Sequence, residues 1–295
     1  MSDLPTPNTQ DPTPGFPGVS FGRSSEGFPV ARVGDGAFAM LPGHAGRYYL
    51  ATGWKIGRPL SEWQRADFYG HSGELADEAA FTAQVLEQAE HQREKEALER
   101  RDIPAHAQTP WGSSQHITVY DEGIEFHSTS SHGGFKLSPE RNIKVHRSLR
   151  AADGFYEEDC AWAIVAITFA HLFTGFERRC AASTLKDWEP DAWEAMTLTS
   201  LAPGQSHVKD RRAFEQAHAN DWVVISALRS DHHPGMTEVI ATRGGRRDHH
   251  AAERRFLVPA QEYEVGRFGF IIDAARHAKY DGPSSFASWS GRNAA

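Results

Sequence analysis

The stretch STSSHGGFKLS, residues 128–138, sets one imidazole, His132, against two glycines, and the acidic run YEEDC, residues 156–160, follows it closely. An imidazole exchanges a proton near neutral pH, and a carboxylate beside it can orient the ring or share the proton. Glu157, Glu158 and Asp159 are therefore the candidate partners of His132 as a catalytic acid or base. Gly133 and Gly134 leave the backbone bare, so their N–H groups could meet a substrate carbonyl or phosphate. A structural reading asks less of the same residues. The glycines would supply positive φ for a tight turn, and the three acids would face the positive end of a helix dipole.

A second group lies in ATRGGRRDHHAAERR, where Arg243, Arg246 and Arg247 surround Gly244-Gly245, with Arg254 and Arg255 just beyond. Arginine and glycine together can hold phosphate, of a nucleotide or of a nucleic-acid backbone. The spacing matches neither a Walker A loop nor a dinucleotide fingerprint, and a solvated hairpin loop explains it equally. Arg276 and His277, after RFGFIID, add polar groups at an expected strand end and complete the candidate anion-binding set.

Sixteen histidines invite a metal reading. The pairs His232-His233 and His249-His250 fall in loops, and neither an HExxH spacing nor paired CxxC motifs are present, so no metal site is assigned. His116 and His127 are expected near each other across a hairpin, but two ligands without a third are too few. Cys160 and Cys180 cannot form a disulfide framework and are expected in helical, partly buried segments of a cytoplasmic protein. No cofactor is indicated.

The elements that must position these groups follow from the hydrophobic pattern. Residues 1–27 are rich in proline and poor in apolar surface, and are expected to be a disordered tail without a secretory signal. Residues 28–55 alternate strand formers with glycine turns, as in a β-meander, and a long polar helix is expected from Ser72 to about Arg101. Its charged second half reads as a solvated linker helix, with 28–105 as an N-terminal region. A main domain at 109–290 opens with a hairpin turning at Glu122-Gly123 and a third strand, FKL, and then Ser138-Pro139-Glu140 starts a short helix. YEEDCAWAIVAITFAHLF, apolar on every face, is expected to be the buried central helix, begun by its acids. Helices near 177–187, 190–199 and 207–219 precede four strand-like runs, the last being RFGFIID. Strands, helices, then strands predict an α+β fold of antiparallel sheets packed on that central helix.

A formal charge of −8 gives no general reason to coat nucleic acid, so that partner could act only through the Arg243–Arg255 loop. The longest apolar run, CAWAIVAITFAHLF, is about fourteen residues against the roughly twenty that span a bilayer, so no membrane partner is expected.

Taken in order, TPWG (109–112), DEGI (121–124), STSSHGGFKLS, GFYEEDCAWAIV, DWEPDAWE (187–194), FLVPAQEYEVGRFGF and DAARH resemble an uncharacterised family of bacterial plasmid, conjugative-element and phage proteins. The resemblance runs from about Thr109 to Trp289 and implies a mobile-element setting, such as transfer, maintenance or counter-defence, without naming an activity. Binding of a protein partner ranks ahead of a hydrolase or transferase acting through His132 on a phosphate-bearing or acyl substrate, because no nucleophile is identifiable.

Overall fold

The computed structural model describes residues 18–43, 46–104, 106–248 and 250–287. The chain forms two compact units, residues 1–182 and 183–295. The expected α+β class holds, with every ladder antiparallel.

In the first unit, β1 (Val19–Arg23), β2 (Pro29–Val33), β3 (Gly36–Pro42), β4 (Tyr48–Trp54) and β5 (Gly70–Leu75) form a meander in chain order. Adjacent strand residues such as Val30 and Ala31 are both fully buried, because each face of this sheet is covered. Helix α1 (Glu78–Ala97) lays Phe81, Val85 and Ala89 against Ala31, Val33, Met40 and Leu50, while Trp63 packs with Val30, Ala39 and Leu41 on the opposite face. Two expectations change here. β1 lies inside the stretch read as a tail, and residues 70–75 pair with β4 instead of beginning the long helix. The helix starts at the Asp77 cap, whose carboxylate accepts from Ala80 N at 2.7 Å.

After β6 (Arg101–Ile103), the TPWG motif is the tip of a small hairpin of β7 (Gln108–Thr109) and β8 (Gly112–Ser113). Then β9 (His116–Asp121), β10 (Ile124–Ser128) and β11 (Gly133–Leu137) form the expected hairpin and third strand, with Gly123 at φ +74° in the turn. The helix α2 (Pro139–Asn142) is capped as expected by Ser138 but is only one turn long. β12 (Phe155–Glu157) pairs with β11, giving the order β12-β11-β10-β9-β6. This pairing overturns the expected helix start: the acids end a strand, and α3 (Trp162–Thr168) begins after them. Its residues Ala163 to Ala166 are all buried, as an apolar central helix requires, and α3 lies against β11 and β12.

Helix α4 (Gly175–Trp188) follows a capping box that is legible in the sequence as TGFE: Thr174 N donates to Glu177 and Glu177 N donates to Thr174. The charged half of α1 is not a bare solvated helix. His91 meets Thr174 Oγ1 at 2.8 Å, Glu94 accepts from Gly175 N at 2.5 Å, and Arg100 forms a bidentate pair with Glu177 at 2.8 and 2.6 Å.

The second unit holds α5 (Pro190–Thr197), α6 (His207–Ala217), and a sheet of β13 (Trp222–Arg229), β14 (Met236–Arg243), β15 (Glu253–Pro259) and β16 (Ala278–Lys279). RFGFIID is not a strand. Gly269, at φ +139°, turns the chain there, and the segment meets β13 through one isolated bridge, Val223 to Ile271. Among the described residues no helix is long and apolar enough to cross a membrane.

Candidate functional site

His132 stands at the loop between β10 and β11. Thr129 closes that loop, its Oγ1 donating to His132 O at 2.7 Å and accepting from His132 N at 3.2 Å. The ring is left about half exposed, with Nδ1 3.9 Å from Glu158 Oε1. The meeting of His132 with the acidic run thus occurs, though by strand pairing and not across a helix start: β12 sits beside β11, and Glu158 N donates to Gly133 O at 3.0 Å. Glu157 Oε1 accepts from Asp159 N at 2.7 Å, which folds the turn back over its own side chain. One ligand atom each from His132, Glu157 and Asp159 lies within 4.8 Å of the others.

Gly133 and Gly134 are not turn glycines. Neither has positive φ, and both are buried within β11. Their function is clearance. A Cβ at Gly134 would lie 2.3 Å from Trp111 Cη2 and 2.5 Å from Tyr156 O, and one at Gly133 would lie 2.6 Å from Glu158 Oε2. The TPWG hairpin therefore drops its indole onto the bare strand at Gly134, while Glu158 folds over Gly133. With strands on both sides, these peptides are turned to the sheet and not to an open anion nest.

Glu158 also lines a cavity of about 200 Å³ with Tyr120, Phe126, Phe135, Trp162, Phe173 and Glu177. The rings come together because Phe126 and Phe135 are directly paired across β10 and β11, and alternate strand residues share a face. Phe135 lies edge-on to Tyr120 and Phe126 at 4.9 and 5.1 Å. Against this cluster lies a cation: the Arg100 guanidinium sits 4.1 Å from the Tyr120 ring centre and 5.3 Å from that of Phe173, while it grips Glu177. Burial pushes the Glu177 carboxyl up, but the Arg100 guanidinium and the Thr174 N–H outweigh it and hold its pKa below the ordinary value. Burial raises the Tyr120 phenol. Apart from Glu158, none of these residues is singled out as a site residue by the sequence. Their signal was the pairing of Phe126 with Phe135 across the loop that carries His132, which reads equally as core.

The other candidates fall elsewhere. His127 and His116 point to opposite faces, since His127 pairs with Ile117 and His116 with Ser128. His127 is buried without a hydrogen-bond partner at either ring nitrogen, its Nε2 3.5 Å from Glu125 but not bonded to it, and burial lowers its pKa. Cys160 is exposed and not in a helix, because the turn after β12 carries it outward, and Cys180 is half-buried in α4.

In the second unit the candidate anion holders already have acceptors. Arg243 donates to Asn220 O and stacks on Trp222 at 4.3 Å, Arg246 pairs with Asp248 at 2.8 Å, and Arg247 donates to Ile225 O at 2.7 Å. Arg276 pairs with Glu262 at 2.7 Å. His277 is buried and accepts from Asp273 N at 3.0 Å. His249 lies outside the described residues.

No curated protein and no solved structure matches the chain. Residues 104–219, which include His132, the 157–159 carboxylates and every wall of the aromatic cavity, match a domain of unknown function, DUF7007.

Proposed function

We propose that the chain is an accessory protein of mobile elements that acts by binding a protein partner, and that His132 and Glu158 stand at the rim of the binding site. One observation carries the reading. Glu158 joins the half-exposed His132, 3.9 Å away, to a concave cavity walled by five aromatic side chains. Aromatic concavities edged by a few polar groups are recognition surfaces, and they need no nucleophile. The family resemblance supplies the mobile-element setting. A photo-crosslinking residue at Ser131, exposed on the loop of His132, tests the reading in the cell. A discrete protein adduct is expected, lost in Glu158→Lys and missing when the same group replaces Trp54, which is 58% exposed on β4. Adducts equal at both positions, or none, contradict it.

A second reading, a hydrolase acting on a phosphate-bearing or acyl substrate, is favoured by the donor atoms of His132, Glu157 and Asp159 gathered within 4.8 Å. One imidazole and two carboxylates suit a divalent transition cation, and three protein ligands would leave positions open for water and substrate. Calorimetric titration with Zn²⁺ or Mn²⁺ tests the metal site this reading needs: saturable uptake abolished by His132→Ala supports the site, and heats unchanged in that variant remove the reading.

A further inference from the structure

We infer that the aromatic cavity beside Glu158 is a cation-recognition pocket that takes an arginine or lysine side chain of the protein partner. The inference rests on the binding reading above and names the chemistry of what binds.

Three observations converge. The walls are aromatic: Tyr120, Phe126 and Trp162 are half-buried, and Phe135 and Phe173 are buried. The face of an aromatic ring carries negative potential, so a box of rings favours a cation over a neutral group of the same size. The same cluster already holds a cation from within the chain, since the Arg100 guanidinium packs on Tyr120 and Phe173 and does not line the cavity.

The charge at the opening agrees. Glu177, the other carboxylate of the lining, is held by Arg100. Among the described residues no lysine or arginine pairs with Glu158, whose nearest basic neighbour is the His132 ring at 3.9 Å. The Glu158 side chain is 38% exposed and Glu158 also lines the cavity, so one residue serves both the rim and the pocket. A volume of about 200 Å³ is right for one long side chain, whose methylenes would lie on the rings while its head meets Glu158.

Calorimetry on the full chain with two capped tripeptides, acetyl-Gly-Arg-Gly-amide and its norleucine counterpart, tests the pocket. The arginine peptide is expected to bind at least about fivefold more tightly than the norleucine one. Glu158→Gln should remove most of that preference, whereas Glu122→Gln, at an exposed carboxylate in the β9–β10 turn, should leave it intact. Trp162→Leu, checked for folding by urea denaturation, should weaken binding of both peptides. Equal affinities for the two peptides, no binding up to about 10 mM, or equal effects of the two Glu→Gln changes would overturn the inference. Should the Ser131 adduct form while the arginine preference is missing, the binding reading stands and the cation pocket falls. If the adduct itself is missing, the reading beneath the pocket fails first.

Discussion

A methyl group at Gly134 has no room, with Trp111 and the Tyr156 carbonyl both closer than a real Cβ contact allows. Gly134→Ala should therefore cost about 1–3 kcal/mol of stability by overpacking, read as a lower urea midpoint. An unchanged midpoint would mean that the TPWG hairpin does not press on β11. At Gly133 the neighbour is Glu158, a side chain that can swing away, although His127 O stands at 2.9 Å as well. There alanine should displace the carboxylate and also strain β10, whose carbonyl cannot swing away. This clearance was hidden in the sequence, because two glycines next to a histidine look like a turn whether or not an indole descends on them. The sequence offers the acidic run as a candidate neighbour of His132 and leaves their approach open. The ladder that produces it, β12 on β11, was not legible, since FYE is too short to stand out as a strand beside an apolar helix.

Elements in the first unit are held by polar pairs as well as by apolar faces. Arg100 and Glu177 are both largely buried, joining the end of α1 to the start of α4. Removing one partner should cost about 3–5 kcal/mol, because it strands the other charge. Arg100→Met combined with Glu177→Met should cost less than the sum of the single changes, and additive losses in a double-mutant cycle would contradict the pairing. The charged second half of α1 looked solvated because a residue-by-residue pattern cannot see that His91, Glu94 and Arg100 meet polar groups some eighty residues away. The meander, the DEGI hairpin, the Ser138 cap and helices α4 to α6 were legible, since each is written in local chemistry: glycine turns, caps and apolar period. What failed were boundaries set by tertiary pairing, at β5, at β12 and along RFGFIID.

At the scale of the whole chain, pH joins these local facts. Burial holds the pKa of His91 and His127 below the ordinary 6.5. The unfolded chain therefore takes up protons first as pH falls, so the stability these imidazoles carry is complete above about pH 6.5 and declines below it. Glu177 and, in the second unit, Glu238 have depressed carboxyl pKa values: burial opposes the charge in both, but Arg100 and Arg255, respectively, overcome it. Their contribution is present above about pH 4.5 and is lost as pH falls through the lowered folded values. Both units should thus weaken toward acid, the first already below pH 6.5. His127→Phe should flatten the upper part of that slope at a cost within about 1 kcal/mol, since neither ring nitrogen has a hydrogen bond to lose. A slope unchanged by the substitution would place the pH sensitivity elsewhere. Function at this scale comes down to whether the aromatic cavity admits a cation. The most direct measurement is the fluorine spectrum of the chain labelled with 5-fluorotryptophan, the Trp162 signal being assigned by Trp162→Phe. Added acetyl-arginine amide should shift the Trp162 resonance saturably while the Trp54 resonance stays fixed, and the shift should shrink in Glu158→Gln. A Trp162 signal that never moves, or that moves equally with acetyl-norleucine amide, would contradict the account.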